Sequence, residues 1–524
     1  MWNCRKNDIK LRLHKEPGRD FRRTKKTKKD KWISWIMILV TFIYIAVISY
    51  ITPLSSTDDL NFLMMSRKTD STMLTEALHY GNGRLLGNLT AMLLSRYLWL
   101  RTILKPAVVV GIIVLLWKLL DINTVVGRFF MTLMFLLMPA ALMAETITWN
   151  SGFANYVPPV LGLLTCGWLV CRIDVISSSA TTSEGRRRKN IKRTIMFTAL
   201  GVTGFVGQLF VEHISLVAIA MSGVLVICMK KRGRSITAPV VWFAVAVAGM
   251  CLMTFISLHF KEYAFIPGYR HVPKDVSTFI EYGYISLFRF TIPLLSQMRL
   301  FWGTILIAAL LVTAGSRRKT VRIITMEIVI LLSSMADGFS LAGMVIESVF
   351  IAGITVLLVM LIESVDSDTK YKLFFILLSG YAATFPLLFV RPYGIRCMMY
   401  LYMCVFAVVV TAVDRWLGRN MGRLQIKIKK GMVVSVEYTI CCTMALFCVI
   451  YDSYAVRELL RLRAINIYNK SQIEQGMKEN STAITIRSDE SVFFHGIIGS
   501  NLENYYYYSK AGDIQFVTED SDKQ

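Results

Sequence analysis

The sequence predicts an all-α polytopic membrane protein with about 13 transmembrane helices. Composition is the first indication, because the 524 residues are 54% hydrophobic and the mean hydropathy is +0.51. The second is a series of apolar runs, each long enough to cross a bilayer. The third is the position of the basic residues, which cluster between those runs. The formal net charge of +24 is therefore attributed to membrane topology and lipid headgroups, and no nucleic acid is expected as a partner.

The apolar runs define the expected spans, with limits good to a few residues. The first run, 32–51, is too long for the apolar part of a cleavable signal peptide. The second and fourth runs are short, so their helices are expected to begin in the preceding segment. The expected spans are 32–51, 105–120, 125–144, 156–172, 194–210, 213–229, 238–257, 299–315, 321–336, 342–361, 373–390, 397–413 and 431–451.

Basic clusters alternate between the ends of these spans, which predicts a cytoplasmic N-terminus and an extracytoplasmic C-terminus. Residues 1–31 form a basic cytoplasmic tail, and residues 32–451 form the membrane domain with large outer segments at 52–104 and 258–298. Residues 452–524 form a small α/β extracytoplasmic tail, with an amphipathic helix at Tyr451–Lys478 and a strand at Ala483–Arg487. A tail of this size is expected to pack against the membrane domain.

An acidic pair, Asp58 and Asp59, follows the first span and is expected on the outer face. Two adjacent carboxylates can supply a general base and a group that orients it or binds a metal. The alternative is a pair of solvated loop residues.

Further along the same outer segment, the glycine-rich sequence Gly81–Asn88 leads into a predicted helix. Arg84 at the helix start suits a phosphate oxygen. Asn82, Asn88 and His79 are candidate substrate-binding residues beside it, although a glycine-rich turn with a structural histidine explains the same pattern.

The short outer loop after the third span is rich in polar and aromatic residues. Glu145, Trp149, Asn155 and Tyr156 lie within it. A membrane-interface aromatic belt would account for the aromatic residues alone. Exposed aromatic faces beside amide and carboxylate groups instead suit a sugar ring and its hydroxyls.

The remaining candidates lie at the outer ends of later spans. Glu212 and His213 begin one span, and ionisable residues at this depth are functional candidates or structural ion pairs. Arg391 and Arg396 precede another and oppose the positive-inside bias, which indicates an anionic partner. A lipid headgroup is the simplest such partner.

These motifs together resemble the GT-C class of integral membrane glycosyltransferases, and most closely a bacterial multi-pass branch related to GtrII-type glucosyltransferases. The matching features, spread over most of the chain, are Asp58-Asp59, Asn82–Asn88, Trp149–Pro158, Glu212, the Arg391 loop and the tyrosine-rich C-terminal tail. His213 departs from the family pattern, in which an Asn is expected after the Glu.

The resemblance implies a sugar donor carried on a polyprenyl phosphate and a glycan, lipid or cell-envelope polymer as acceptor. Asp58 or Asp59 would be the base, with the choice left open, while Arg84 and Arg391 would hold the donor phosphate. Trp149, Asn155 and Tyr156 would shape the sugar site. The protein would lie in the cell membrane with its active site on the extracytoplasmic face. Some members of the class use a divalent cation, but no metal-ligand spacing is evident in this sequence.

Two other functions remain open from the sequence. A flippase or transporter of lipid-linked polysaccharide would place ionisable residues at mid-membrane and break helices in corresponding halves. A polysaccharide polymerase would share the outer arginines, but not an acidic pair directly after the first span.

Overall fold

The structure is a computed structural model, and the part of the chain that it describes is mostly helical. The described residues are 28–54, 58–67, 70–178, 183–260, 275–287, 341–388, 394–427, 430–479, 481, 483–497 and 515–520.

The helices of the described residues are numbered in chain order. The first group is α1 (Lys28–Ile51), α2 (Asp58–Ser66), α3 (Asp70–His79), α4 (Leu85–Arg96), α5 (Leu98–Leu119), α6 (Val125–Leu136), α7 (Ala140–Met143, continued by a π-helical turn Ala144–Thr148), α8 (Asn150–Tyr156) and α9 (Pro158–Ser178). The second group is α10 (Ser183–Val206), α11 (Glu212–Lys231), α12 (Thr237–His259), α13 (Val276–Ser286), α14 (Leu341–Glu363), α15 (Ser367–Thr384), α16 (Met399–Lys427) and α17 (Lys430–Lys478). Single 3₁₀ turns lie at Gly207–Leu209, Phe385–Leu388 and Ile395–Met398.

Seven helices among the described residues are long and apolar enough to cross a membrane, and a bent helix pair makes a possible eighth. The protein is therefore a multi-pass membrane protein. These candidate spans are Trp32–Ile51, Leu98–Leu119, Asn150–Ile176, Glu212–Lys231, Thr237–His259, Val345–Glu363, Ile395–Gly418 and the pair Val125–Leu136 with Ala140–Thr148.

The other expected spans are not among these candidate spans. The runs 194–210, 373–390 and 431–451 fall largely within α10, α15 and α17, but those helices are not among the seven. The runs 299–315 and 321–336 lie outside the described residues. Thirteen spans with the N-terminus inside therefore stay a prediction.

Helix α1 shows how an apolar sequence satisfies its few polar groups in a membrane. The hydroxyls of Thr41, Ser49 and Thr52 each donate to the carbonyl four residues earlier, at 3.0, 2.7 and 2.6 Å. No water is needed for these hydroxyls, so they are tolerated in lipid.

The expected third span, 125–144, is corrected by the structure. Helix α6 ends at Leu136, and the chain turns by 71° before α7. Pro139 lies at the break, where it cannot donate a backbone hydrogen bond and cannot continue α6. The following residues, predicted as a loop, are also helical. Backbone at this depth is buried in protein and is satisfied by helical hydrogen bonds.

The span Ile395–Gly418 forms the centre of the helix bundle and is mostly buried. Its Tyr402 hydroxyl donates to the carbonyl of Met134 in α6 at 2.6 Å. Near its other end, the Asp414 carboxylate accepts from the backbone N–H of Thr124 at 3.1 Å. These two contacts fix α16 against α6, and through α6 they fix the position of the bend.

The C-terminal tail contacts the membrane domain, where the Thr148 hydroxyl donates to the Phe493 carbonyl at 3.0 Å. Helix α17 leads to β1 (Ala483–Ser488), which pairs in parallel with β2 (Gln515–Asp520). The strand at Ala483–Arg487 is thus confirmed, whereas β2 was not predicted. Phe493 is 1% exposed and lies edge-on to Tyr451 and Tyr454 of α17.

Phe493→Ala is expected to lower the free energy of unfolding by about 3–5 kcal/mol, because it empties a fully buried aromatic position. Thermal unfolding of the purified protein in detergent, followed by tryptophan fluorescence, measures the effect. Val492→Ala is the matched control, since Val492 is 63% exposed. Equal unfolding midpoints for the two variants would show that the tail does not dock through Phe493.

Candidate functional site

Asp59 connects the segment after α1 to the helical turn after the bend. Its side chain is 0% exposed. Its carboxylate oxygens accept hydrogen bonds from the backbone N–H groups of Asn150 at 3.1 Å and Ser151 at 2.9 Å. The first N–H groups of a helix have no partner within it, and a carboxylate at this end is also favoured by the helix dipole. Asp59 therefore anchors α2 to the start of α8.

Asp58 faces different groups, because neighbouring residues on a helix point about 100° apart. It is half-buried, and burial raises the pKa of its carboxyl above the ordinary value of 3.8. The positive charges of Arg396 and Arg84 act in the opposite direction and offset part of that rise in pKa. The two aspartates therefore differ in environment. Asp59 is held by backbone donors, and Asp58 lies in the field of two guanidinium groups.

Each of those two arginines is held by a glutamate. Arg84 donates through Nε at 3.0 Å and Nη2 at 2.8 Å to one carboxylate oxygen of Glu212. Arg396 donates through Nη1 at 2.8 Å and its backbone N–H at 3.2 Å to one oxygen of Glu145. Burial disfavours the charge of Arg84, but the charge and hydrogen bond of Glu212, together with Tyr156 and Cys397, outweigh burial and raise the pKa of the guanidinium. Arg84 thus stays cationic.

The glycine-rich turn before α4 positions Arg84. Gly81 and Gly83 both have φ 75°, a conformation that favours glycine. The Asn82 side-chain oxygen accepts from the backbone N–H of Arg84 at 2.9 Å and from the Asn88 amide at 2.9 Å. The Asn82 amide donates back to Asn88 at 3.2 Å. These two candidate substrate-binding residues therefore bond to each other and to the turn.

Glycine is also required where α8 meets the turn before it. A Cβ at Gly152 would overlap the backbone oxygen of Glu145 and approach the Trp149 ring at 2.7 Å. The absence of a side chain at Gly152 lets the chain fold back after the π-helical turn. Glu145 and Trp149 consequently both lie against Arg396.

The aromatic candidates are buried, which corrects the expectation of exposed faces. Trp149 and Tyr156 are each 6% exposed. The His495 ring of the C-terminal tail stacks on Trp149 with ring centroids 3.9 Å apart and planes at 20°. The Arg396 guanidinium carbon lies 5.0 Å from the Trp149 ring centroid. The tail and an arginine therefore cover the indole that was expected to face solvent.

The structure brings most of the predicted residues into one cluster. The contacts above and the Tyr156–His213 ring contact at 5.6 Å join Arg84, Glu145, Trp149, Tyr156, Glu212, His213 and Arg396, and the charges of Arg84 and Arg396 act on Asp58. The Asn155 amide instead donates to the Ser151 carbonyl at 2.9 Å. His79 lies against Phe260, with ring centroids 5.1 Å apart. Arg391 lies outside the described residues.

Three residues near this cluster were not predicted from the sequence. His495 lies in the C-terminal tail, far along the chain from the last candidate site residue, Arg396, and nothing local indicates its position. Arg101 and Lys105 lie in α5, where they are 7% and 1% exposed. A lysine within an apolar run is itself a functional signal, and it could have identified Lys105.

Several buried polar atoms of the site have no hydrogen-bond partner among the described residues. They are the Trp149 Nε1, both amide atoms of Asn150 and the Asn155 Oδ1. Buried polar atoms are normally paired, and each exception calls for an explanation. A ligand rich in hydroxyl groups could satisfy both the donors and the acceptors in this set.

Within the described ranges, His, Cys, Asp and Glu do not form a group of three that could hold a metal ion. The two glutamates of the cluster, Glu145 and Glu212, are already bound to arginines. The divalent cation suggested by the family resemblance therefore has no ligand set in this part of the chain.

The chain matches no protein-family model, no curated protein and no solved structure. Its function is therefore argued from the site itself.

The two aspartates are expected to differ in their effect on stability. Asp59→Asn should lower the free energy of unfolding by about 2 kcal/mol or more, because the amide nitrogen would face backbone donors. Asp58→Asn should leave stability unchanged or raise it. The pKa of Asp58 is raised in the fold, so its ionised form costs stability once the pH exceeds the unfolded-state pKa. Thermal unfolding at neutral pH compares the variants. The reverse order would contradict the capping role of Asp59.

Proposed function

We propose that this protein is a membrane glycosyltransferase that moves a sugar from a polyprenyl-phosphate donor to a glycan, lipid or cell-envelope acceptor on the extracytoplasmic face. One observation carries the proposal. Asp58 is a half-buried carboxylate of raised pKa that lies in the field of two arginines, each fixed by its own glutamate. A base beside fixed positive charge is what transfer from a phosphate-linked sugar requires.

In the proposed reaction, Asp58 accepts the proton of an acceptor hydroxyl as its oxygen attacks the anomeric carbon of the donor sugar. The bond from that carbon to the phosphate oxygen breaks, and its electron pair leaves with the lipid phosphate. Negative charge therefore grows on the phosphate, where Arg84 and Arg396 stabilise it. Attack opposite to the leaving group inverts the anomeric carbon.

The remaining residues of the cluster have supporting parts in this proposal. Glu145 and Glu212 hold the arginines in place before the donor arrives, so little reorganisation is needed during transfer. The unpaired amide of Asn150 and the Trp149 Nε1 can bond sugar hydroxyls. Arg391 keeps its predicted role as a further phosphate ligand.

One observation favours a second function, a flippase or transporter of lipid-linked polysaccharide. The third apolar segment is broken and bent by 71°, and broken helices form the substrate sites of many transporters. That function, like the polymerase, needs no base at Asp58. The two classes therefore differ in what the loss of that carboxylate does.

Asp58→Asn is expected to reduce sugar transfer by about 100-fold or more, since general-base catalysis contributes about 10²–10⁴ to a rate. The measurement compares the surface glycans and lipid-linked intermediates of cells that express wild type, Asp58→Asn or no protein. Membrane levels of each protein are determined by immunoblotting.

Loss of one glycan sugar in both the knockout and the Asp58→Asn cells supports the transferase. Accumulation of complete lipid-linked glycan inside the knockout, with full rescue by Asp58→Asn, would instead establish a flippase. Thr102→Ala is a suitable control, because the Thr102 hydroxyl only bonds to its own helix on an exposed face.

The acid limb of the pH–rate profile provides an independent prediction. Transfer needs ionised Asp58, so activity should fall as the pH drops through a pKa above the ordinary 3.8. Arg396→Gln removes a charge that lowers this pKa and should move the limb to higher pH. Arg396→Lys keeps the charge and should restore the limb. An acid limb that is identical in the glutamine and lysine variants would mean that the titrating group is not Asp58.

A further inference from the structure

Beside Asp59, at the end of α1, lies a second group of cationic side chains. Arg101 and Lys105 of α5 are 7% and 1% exposed. Asp59 is the carboxylate whose charge acts on both of them. Arg463 of α17 adds a third positive charge that acts on Arg101. This group of four thus holds three basic side chains and one carboxylate, and the proposed transfer reaction does not use its three basic side chains.

Backbone carbonyls hold these cations without neutralising them. Arg101 donates from Nη2 to the Thr52 carbonyl at 2.9 Å, and Arg463 donates to the Tyr50 carbonyl at 3.0 Å. Both carbonyls belong to the C-terminal end of α1, which is the negative end of a helix dipole. Lys105 donates to the Ile147 carbonyl at 2.6 Å. Such dipoles orient a charge, but they do not cancel it in a low-dielectric region.

One donor of the group has no partner in the part of the chain that the structure describes. The Nε of Arg101 makes no hydrogen bond there, and the residue is more than nine-tenths buried. If Arg101 only capped the end of α1, its Nη2, which donates to the Thr52 carbonyl, would be sufficient. A guanidinium with a free, buried Nε is suited to an oxyanion, which accepts from Nε and Nη together.

Exposed aromatic residues indicate the depth of this group in the bilayer. Tyr50 of α1 is 48% exposed and lies under Arg463, and Trp99 of α5 is 63% exposed one helical turn or less from Arg101 along the chain. Amphipathic aromatic residues favour the level of the lipid headgroups. The least buried cation, Arg463, lies over the Tyr50 ring at 4.7 Å, so the group becomes accessible at the lipid-facing side of α1.

We propose that Arg101, Lys105 and Arg463 form a binding site for the phosphate headgroup of a membrane lipid. The site is distinct from the Arg84 and Arg396 pair, whose charges are already matched by Glu212 and Glu145. It does not depend on the protein being a transferase. A phosphate there would lie among three basic side chains and accept from the Arg101 Nε.

The test uses the full-length protein in detergent micelles with three probes. Phosphatidic acid carries a phosphate monoester, phosphatidylcholine of the same chain length is zwitterionic, and inorganic phosphate has no lipid chain. Native mass spectrometry counts bound lipid, and the shift in unfolding temperature gives the affinity. Arg463→Gln and Arg101→Gln are the test variants. Lys470→Gln is the control, because Lys470 lies on α17 and is 63% exposed at its side chain.

Wild type and Lys470→Gln should bind phosphatidic acid alike, and Arg463→Gln should bind it about tenfold more weakly, as expected for loss of one charged hydrogen bond. Phosphatidylcholine should bind as weakly to wild type as to the variants. If Arg101→Gln fails to accumulate, the partly exposed Arg463 still decides the test. Equal affinity of Arg463→Gln and wild type, or equal binding of both lipids, would overturn the site. Displacement of phosphatidic acid by equimolar inorganic phosphate would overturn its assignment to lipid.

Discussion

The hydrogen bonds from the backbone of Asn150 and Ser151 to the Asp59 carboxylate are the contact on which the rest of the site depends. They join α2, which follows the first span, to α8, which follows the broken third segment. Without this junction, Asp58 would not be held near Arg396, whose partner Glu145 lies just before α8. A structural role for one aspartate thus gives its neighbour a fixed position.

Charge balance distinguishes two regions around the acidic pair. Near Asp58, each arginine has a glutamate, so the cluster is stable before any ligand binds. Near Asp59, Arg101 and Lys105 face mainly carbonyl dipoles. Burial strengthens the charge interactions in both regions, because water is excluded from them. The excess of basic side chains beside Asp59 favours a negatively charged ligand there, whereas the arginines beside Asp58 already have carboxylate partners.

The sequence was sufficient for those features that depend on local pattern. Apolar runs of bilayer length predicted the helices that could span a membrane, and the amphipathic pattern after Tyr451 predicted the long tail helix. Motif positions also predicted that Asp58, Arg84, Glu212 and Arg396 would be close together. The bend at Pro139, the pairing of each arginine and the stacking of His495 on Trp149 depend on packing between distant segments. Local periodicity carries no information about such contacts, so the sequence left the choice between Asp58 and Asp59 open.

An electron cryo-microscopy map of the wild-type protein in a lipid nanodisc would test most directly whether Asp58 and Asp59 have separate roles. In that map, the Asp59 carboxylate is expected within hydrogen-bond distance of the Asn150 and Ser151 backbone nitrogens, at 3.1 and 2.9 Å. Asp58 should point toward Arg84 and Arg396. A map in which Asp58 caps α8 and Asp59 faces the arginines, or in which neither carboxylate contacts α8, would contradict the account.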